Sequence, residues 1–243
     1  MNIAAKIAQP DAPERAEELA SAYRGLGGAD LLRPMIGQEF KGRIALVSSF
    51  GAESAVLLNM VAEIDPATPV IFLDTGKLFG ETRRYRDQLQ ARLGLTDLRS
   101  VAPDQSEVAA EDAYGTLWSK DADACCALRK TRPLARALEP FDAWITGRKR
   151  FQTGDRASLP FIEADAGRVK INPLADWDLE RLNSAREADS LPTHPLVADG
   201  YVSIGCMPCT GRVAPGGGYR EGRWAGQDKS ECGIHGFVDG DGI

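Results

Sequence analysis

The chain has 243 residues, of which 43% are hydrophobic and 26% are charged, a composition typical of soluble globular proteins. Lysine and arginine total 29 against 35 aspartate and glutamate residues, which gives a net charge of −6 at pH 7. This acidic balance argues against a protein that binds nucleic acid or a membrane surface through bulk positive charge. No apolar run approaches the ~18–20 residues of a membrane-spanning helix. Residues 1–11 have no hydrophobic signal core, so we expect a cytoplasmic protein.

The first 42 residues are predicted to form a peripheral helical segment, because apolar residues recur at helical spacing between Ala16 and Tyr23. A repeated pattern then begins, in which a short apolar run precedes a polar turn and a helical stretch. Three such runs occur, at residues 44–47, 70–73 and 143–146. Their continuous apolar character is typical of buried parallel strands. The pattern predicts an α/β domain over residues 43–211, an open and mainly parallel twisted sheet flanked by helices.

The strand–helix cycle weakens after Trp177, where residues 178–188 are predicted to form one helix. From residue 212 to residue 243, nine of 32 residues are glycine. This composition predicts a flexible C-terminal tail rather than a packed element.

Each apolar run ends in a polar turn, and these turns share the sheet edge at which such folds bind ligands. Small residues in the first turn let backbone N–H groups and a helix N-terminus approach an anion. Phe50 stands where ATP-cleaving proteins of this type carry a glycine, which favours a phosphate- or sulfate-sized cradle over ATP hydrolysis. Ordinary helix caps would explain either of the first two turns taken alone. The candidate binding residues in the turns are Ser48, Ser49, Phe50, Gly51, Leu73, Asp74, Thr75, Gly76 and Gly147.

Three consecutive cations, Arg148, Lys149 and Arg150, follow the third run. Guanidinium groups bind phosphate or sulfate oxygens in bidentate geometry, so an anion clamp is the preferred interpretation. A solvated basic loop is the alternative.

Five cysteines on a chain without an export signal do not suit a disulfide framework. Cys125 and Cys126 are adjacent, and Cys206 and Cys209 form a Cys-x-x-Cys pair. Zinc binds four thiolates well, but adjacent cysteines converge poorly on one metal atom. A four-iron cluster offers a separate iron atom to each thiolate. An iron–sulfur cluster is therefore favoured over zinc. A redox-sensing disulfide pair is the least favoured of the three interpretations.

The fifth cysteine, Cys232, stands in the glycine-rich tail within the motif Glu-Cys-Gly-Ile-His at residues 231–235. A thiol in a mobile, glycine-flanked segment can reach a substrate and can be attacked by another protein's thiol. Cys232 is therefore a candidate nucleophile, with an incidental surface cysteine as the alternative. His194, next to Pro195, is interpreted as a structural residue.

In combination, these motifs resemble the assimilatory adenylyl-sulfate reductases of the phosphoadenylyl-sulfate (PAPS) reductase family. The resemblance extends from residue 44 to residue 235 and depends most on the two cysteine pairs and the Glu-Cys-Gly-x-His motif. Met207 stands where the family often has Trp, and Phe151 where many members have Asp.

The resemblance implies an adenine nucleotide alpha hydrolase-like fold and the reduction of adenosine 5′-phosphosulfate to sulfite and AMP. Cys232 would attack the sulfur and become an S-sulfocysteine, from which a thioredoxin- or glutaredoxin-type thiol would release sulfite. One [4Fe–4S] cluster per subunit would be held by Cys125, Cys126, Cys206 and Cys209. A homo-oligomer is left open.

The chemistry implied by the resemblance requires cations around the sulfate and the departing phosphate, where negative charge develops. Lys130, Arg220 and Arg223 are the favoured contacts, since Lys130 follows the cysteine pair and the two arginines flank the tail. The further candidate cations are Arg148 and Arg156.

Three other functions compete with this interpretation. A PAPS reductase would act on the same substrate carrying an added 3′-phosphate, but enzymes dedicated to that substrate usually lack both cysteine pairs. An ATP-dependent tRNA-thiolating enzyme with an iron–sulfur cluster should have a double-glycine loop and a net basic surface. A non-catalytic iron–sulfur sensor would not need a reactive cysteine in a mobile tail.

Overall fold

The computed structural model describes residues 11–214, 216–224, 229 and 231–235. Parts of the predicted N-terminal segment (residues 1–10) and of the predicted tail lie outside these residues. Within them, no helix has the length and hydropathy needed to cross a bilayer.

A six-stranded sheet forms the centre of the described part of the chain, with the strand order β3-β2-β1-β4-β6-β5. The strands are β1 (Ile44–Val47), β2 (Val70–Leu73), β3 (Leu98–Val101), β4 (Ala143–Ile145), β5 (Ile162–Asp165) and β6 (Arg168–Ile171). All neighbouring strands pair in parallel except β5, which is antiparallel to β6. The predicted open and mainly parallel α/β sheet is therefore confirmed. The chain leaves β1 on one side to β2 and β3 and returns on the other side as β4, which creates a switch point beside β1.

The described helices cover both faces of the sheet and one end of it. They are α1 (Ala12–Ala22), α2 (Gly28–Pro34), α3 (Ser54–Ile64), α4 (Gly80–Leu93), α5 (Gln105–Glu111), α6 (Leu117–Lys120), α7 (Ala122–Cys126), α8 (Arg132–Leu138) and α9 (Leu179–Ala188). A π-helical turn, Ala127–Thr131, joins α7 to α8 without a break. The predicted helix at residues 178–188 is confirmed as α9, for which Asp178 provides the N-cap through its side chain.

Alternate residues of the central strands face two separate apolar clusters. Leu46 and Phe72 belong to the larger cluster, which includes side chains of α1–α4. Ala45 and Trp144 belong to the smaller one, which packs against α8. This three-layer arrangement leaves the carboxyl ends of β1, β2 and β4 exposed at one edge, where the polar turns meet.

Candidate functional site

A cavity of about 210 Å³ lies at the carboxyl ends of β1, β2 and β4. Its walls include residues from all three polar turns, from the loop before Cys206 and from the described part of the tail. The prediction that the three turns share one edge of the sheet agrees with this geometry.

The turn after β1 forms the floor of the cavity. Ser48, Ser49 and Gly51 line it, and the Ser48 hydroxyl accepts a hydrogen bond from the Phe50 N–H at 3.2 Å. Phe50 has a φ of +49°, a left-handed conformation that costs a non-glycine residue about 1–2 kcal/mol. Its ring is fully buried against Phe72, with 5.4 Å between ring centroids. Phe50 therefore shapes the cradle through its backbone, and its side chain belongs to the core.

The turn after β2 divides its residues between the cavity and the surface. Leu73 and Thr75 line the cavity. Asp74 accepts hydrogen bonds from the Gly76 N–H at 3.2 Å and from Arg83 at 2.9 Å. Burial acts to raise the pKa of Asp74, but these hydrogen bonds outweigh it, so the pKa is lowered. Asp74 is thus an anion engaged with Arg83, and Gly76, at a φ of +70°, allows the tight turn.

The three cations after β4 do not act as one clamp. Arg148 lines the cavity but forms an ion pair with Glu163. Lys149 Nζ lies 2.5 Å from a Glu53 carboxylate oxygen. Arg150 Nε donates to the Leu159 carbonyl at 3.0 Å, outside the cavity lining. Carboxylates therefore compensate the two cations of this loop that reach the cavity.

Four further cations line the cavity: Lys130 of the π-helical turn, Arg156 of the short turn Gly154–Arg156, and Arg220 and Arg223 of the tail. Arg156 and Arg220 both contact Glu231, at 2.6 Å and 3.5 Å respectively. Arg223 donates to the Cys209 carbonyl at 3.2 Å. Among the described residues, no carboxylate lies within ion-pair distance of Lys130 or Arg223. These two cations are the ones best able to attract an anionic ligand.

The two cysteine pairs meet around a much smaller cavity that adjoins the large one. Cys125 and Cys126 end α7, while Cys206 precedes the short 3₁₀ turn Met207–Cys209 and Cys209 ends it. All four thiols are buried. The Thr75 hydroxyl lies 3.3 Å from Cys206 Sγ. Although at least 80 positions separate the two pairs in the sequence, all four cysteines line this one cavity.

Burial raises the pKa of Cys126 to about 11 and also raises the pKa values of Cys125 and Cys209. Such thiols stay protonated at neutral pH unless a metal displaces the proton. No three His, Cys, Asp or Glu side chains of the described residues converge as ligands of a single ion. Four thiols that line one cavity are the donor type that a metal group bound through sulfur requires.

Lys130 and Cys206 each line both cavities. Burial tends to lower the pKa of Lys130, but the neighbouring cysteines, Cys206 first among them, raise it through the negative charge that they carry once deprotonated. The ammonium group therefore stays charged between the cysteine site and the large cavity. The π-helical turn that carries Lys130 is a type of helix irregularity often found at functional sites.

Cys232 lines the large cavity and packs against Trp224, Cys206 and Cys209. Its thiol is half-buried, unlike the four buried cysteines. The next residues also dock: Ile234 packs against the smaller apolar cluster, and the His235 ring stacks on Trp144 with 5.9 Å between centroids. The described tail residues thus close over the cavity, and whether the tail opens stays a prediction.

Sequence reasoning missed two acidic residues of the site, Glu53 and Glu231. Glu53 accepts from Gln152 at 2.8 Å as well as from Lys149, and it hydrogen-bonds Tyr219. Glu53 lies in the turn after β1, and Glu231 begins the motif at residues 231–235. Their positions in these motifs could have marked both acids as site residues. Lys149 and Arg156, which pair with these acids, lie 96 and 75 positions away in the sequence, so the pairing itself could not be predicted.

The fold and the site together define a nucleotide-binding type of α/β protein. Its cavity joins the turn after β1, two cations without a carboxylate partner among the described residues and the half-buried Cys232 thiol, with four buried cysteines beside it.

Comparison with known proteins identifies the family. A family model described as the phosphoadenosine phosphosulfate reductase domain matches residues 43–212. A protein of Mesorhizobium japonicum named adenosine 5′-phosphosulfate reductase is 51% identical, over 91% of this chain and 87% of its own length. A protein of the same name from Chelativorans sp. is 49% identical over 96% of each chain. The chain therefore belongs to the phosphoadenosine phosphosulfate reductase family.

A solved structure agrees with this assignment. The crystal structure of a PAPS reductase from Candida auris, in a phosphate complex, superposes with a TM-score of 0.69 at 27% identity. The superposition covers 82% of this chain and 97% of that one. The predicted family and fold class are both confirmed.

Proposed function

We propose that this protein reduces adenosine 5′-phosphosulfate to sulfite, with AMP as the second product, in assimilatory sulfate reduction. The observation that carries the proposal is the position of Cys232, whose half-buried thiol lines the same cavity as the cradle after β1 and the cations Lys130 and Arg223. The shared name of the two bacterial relatives supports this choice of substrate.

In the first step, the Cys232 thiolate attacks the sulfur of the substrate. An S–S bond forms, the bond between that sulfur and the bridging oxygen breaks, and AMP leaves with the electron pair. Negative charge grows on the departing phosphate oxygen, where Lys130 and Arg223 can stabilise it. The product on the enzyme is an S-sulfocysteine.

In the second step, a dithiol protein of the thioredoxin or glutaredoxin type supplies two electrons. One of its thiolates attacks Cys232 Sγ, sulfite leaves with the electron pair of the S–S bond, and a mixed disulfide forms. The second thiol of the reductant then attacks the disulfide sulfur that belongs to the reductant. This step frees Cys232 as a thiolate and leaves the reductant with an internal disulfide.

Cys125, Cys126, Cys206 and Cys209 would hold one [4Fe–4S] cluster per subunit. When bound, such a cluster keeps the four thiolates deprotonated and joins the two cysteine pairs. The residues of this chain do the rest: Thr75 lies against Cys206, and Lys130 extends from the cysteine helix to the substrate cavity.

Reduction of PAPS is the second candidate, because the Candida auris structure carries that name. An added 3′-phosphate would need further positive charge. Within the described part of the cavity, Arg148, Lys149 and Arg156 already have carboxylate partners. This charge balance supports the substrate without the 3′-phosphate.

The reductant and the cellular setting follow from the same proposal. A thioredoxin-type partner and the cytoplasm suit a protein whose buried thiols must stay reduced. A homo-oligomer is compatible with this chemistry and is not required by it, since one chain contributes every residue named above.

Sulfite release by anaerobically purified protein tests the proposal. The assay compares adenosine 5′-phosphosulfate with its 3′-phosphorylated relative, each with thioredoxin or glutaredoxin, and uses Cys232→Ser as the blank. We expect kcat/KM to favour the unphosphorylated nucleotide by at least about tenfold, which corresponds to about 1.4 kcal/mol of transition-state binding. A reversed ratio would establish PAPS reduction, and no sulfite from either nucleotide would contradict both candidates.

A further inference from the structure

The residue that precedes the nucleophile forms a bidentate ion pair. Glu231 accepts from Arg156 Nε at 2.7 Å and from Arg156 Nη2 at 2.7 Å, one bond to each carboxylate oxygen. The Arg156 side chain is 8% exposed and that of Glu231 26% exposed. Two parallel charge-assisted hydrogen bonds fix both the distance and the plane of the two groups. The pair therefore restricts where the backbone at residue 231 can lie.

Arg156 is itself held in place from the other side. Its Nη1 donates to the Gln152 side chain, and Gln152 Nε2 donates to Glu53 at 2.8 Å. Glu53 belongs to the turn after β1 that forms the floor of the cavity. A chain of polar contacts thus runs from the floor of the cavity to the residue next to Cys232.

The same contacts limit what else Arg156 can bind. Its side-on edge, formed by Nε and Nη2, is taken by Glu231, while Nη1 is used by Gln152. A substrate anion could take that edge only by displacing Glu231. Such displacement would release the residue adjacent to Cys232 at the moment when the thiol must attack the substrate sulfur. Arg156 is therefore better placed to bind Glu231 of the tail than to bind the substrate.

We propose that Glu231 is a positioning residue for Cys232, acting through Arg156, and that Arg156 serves as the receptor for the tail. This inference rests on the proposed function for the role of Cys232. It adds that the rate of thiol attack depends on an ion pair that does not touch the substrate.

The first test measures S-sulfocysteine formation in a single turnover, on the iron-loaded protein without reductant. Glu231→Gln removes the charge and keeps the size of the side chain, so the rate should fall by at least about tenfold, because small misplacement of a reacting group has large effects. KM should stay within about threefold of the wild-type value, and Glu231→Asp should recover part of the rate. The matched control is Glu221→Gln, because Glu221 is an exposed acid of the same tail that contacts the Gly218 N–H.

A second test needs no substrate. Iodoacetamide alkylation of the iron-loaded protein, read by mass spectrometry of the peptide containing Cys232, reports how well the tail is held. Glu231→Gln should raise the alkylation rate several-fold, and Glu221→Gln should leave it unchanged. If wild-type protein forms no S-sulfocysteine with either nucleotide, the proposed function fails. The alkylation rate of Cys232 still tests whether the Glu231–Arg156 ion pair holds the tail in place.

Two outcomes would overturn the inference. One is an alkylation rate and an attack rate in Glu231→Gln equal to those of the wild type. The other is a lower KM with an unchanged rate of attack, which would mean that Glu231 competes with the substrate for Arg156.

Discussion

Arg129 connects Asp112 to the turn after β2 by three hydrogen bonds. Its Nε and Nη2 donate to the Asp112 carboxylate at 3.2 and 2.7 Å, and its Nη1 donates to the Thr75 carbonyl at 2.9 Å. Arg129 follows the Cys125–Cys126 pair by three residues, and the Thr75 hydroxyl lies against Cys206. The buried guanidinium therefore ties both halves of the cysteine site together.

Asp112→Asn should lower the free energy of unfolding by about 3–5 kcal/mol, because it leaves a buried arginine without its counter-charge. The Asp112 side chain is only 2% exposed and that of Arg129 8%. Denaturant unfolding of the iron-loaded protein measures the change. Asp87→Asn is the control, since Asp87 is 62% exposed in its pair with Arg86 and should change stability by less than about 1 kcal/mol. Equal effects of the two substitutions would contradict this prediction.

The Asp112 carboxylate should also contribute to acid sensitivity. Burial acts to raise its pKa, but hydrogen bonds from the Leu117 N–H and from Arg129 outweigh burial and lower it. A lowered pKa stabilises the folded state above the ordinary value of about 3.9, and this contribution is lost as the pH falls through the folded-state pKa. As the pH falls below about 5, where the unfolded-state carboxylate begins to protonate, the wild type should therefore lose more stability than Asp112→Asn. Parallel curves of unfolding free energy against pH would contradict this.

Arg223→Ala should lower kcat/KM by about 10²–10³, the loss typical when a donor to developing charge is removed. Arg223 lines the cavity without a carboxylate partner among the described residues, whereas Arg150 packs over the Phe161 ring, 5.4 Å from its centroid. Arg150→Ala is therefore the matched control and should keep kcat/KM within about threefold. Because Arg223 also donates to the Cys209 carbonyl, iron content must be measured in parallel. A loss of activity that only follows a loss of iron would remove Arg223 from the charge-stabilising role.

Iron content tests the cysteine assignment directly. Anaerobically prepared wild-type protein should contain about four iron and four sulfide atoms per chain, with visible charge-transfer absorption. Cys126→Ser should lose most of this iron, since a hydroxyl replaces a thiolate ligand. Stoichiometric zinc without visible absorption in the wild type would contradict the prediction.

The strands that could be predicted from the sequence are those in which every residue is apolar and most are buried. β1, β2 and β4 are buried on both faces, so their apolar runs were visible. β3 escaped notice because it lies at the sheet edge and has two exposed polar residues, Arg99 and Ser100, between its apolar ends. β6 escaped because it contains Lys170, which is 1% exposed and whose charge is compensated by Asp165 of β5.

The candidate site was predictable in the same uneven way. The turns and both cysteine pairs could be found because sheet topology and ligand chemistry constrain them. The compensation of Lys149 by Glu53 and of Arg156 by Glu231 could not, because each pair joins residues 75 or more positions apart. For that reason the sequence predicted a clamp of consecutive cations where the structure has separate ion pairs.

Cys232→Ser should abolish sulfite release while keeping the iron content and the affinity for nucleotide. The iron should stay because four other cysteines surround the smaller cavity, and affinity should stay because the thiol contributes to the reaction more than to ground-state binding. Mass spectrometry of wild-type protein mixed with substrate alone should find one SO₃ group on the peptide containing Cys232. Added thioredoxin should then remove that group, which requires the half-buried thiol to become accessible as the tail opens. The adduct on another cysteine, or near-normal turnover in the serine variant, would remove Cys232 from the mechanism.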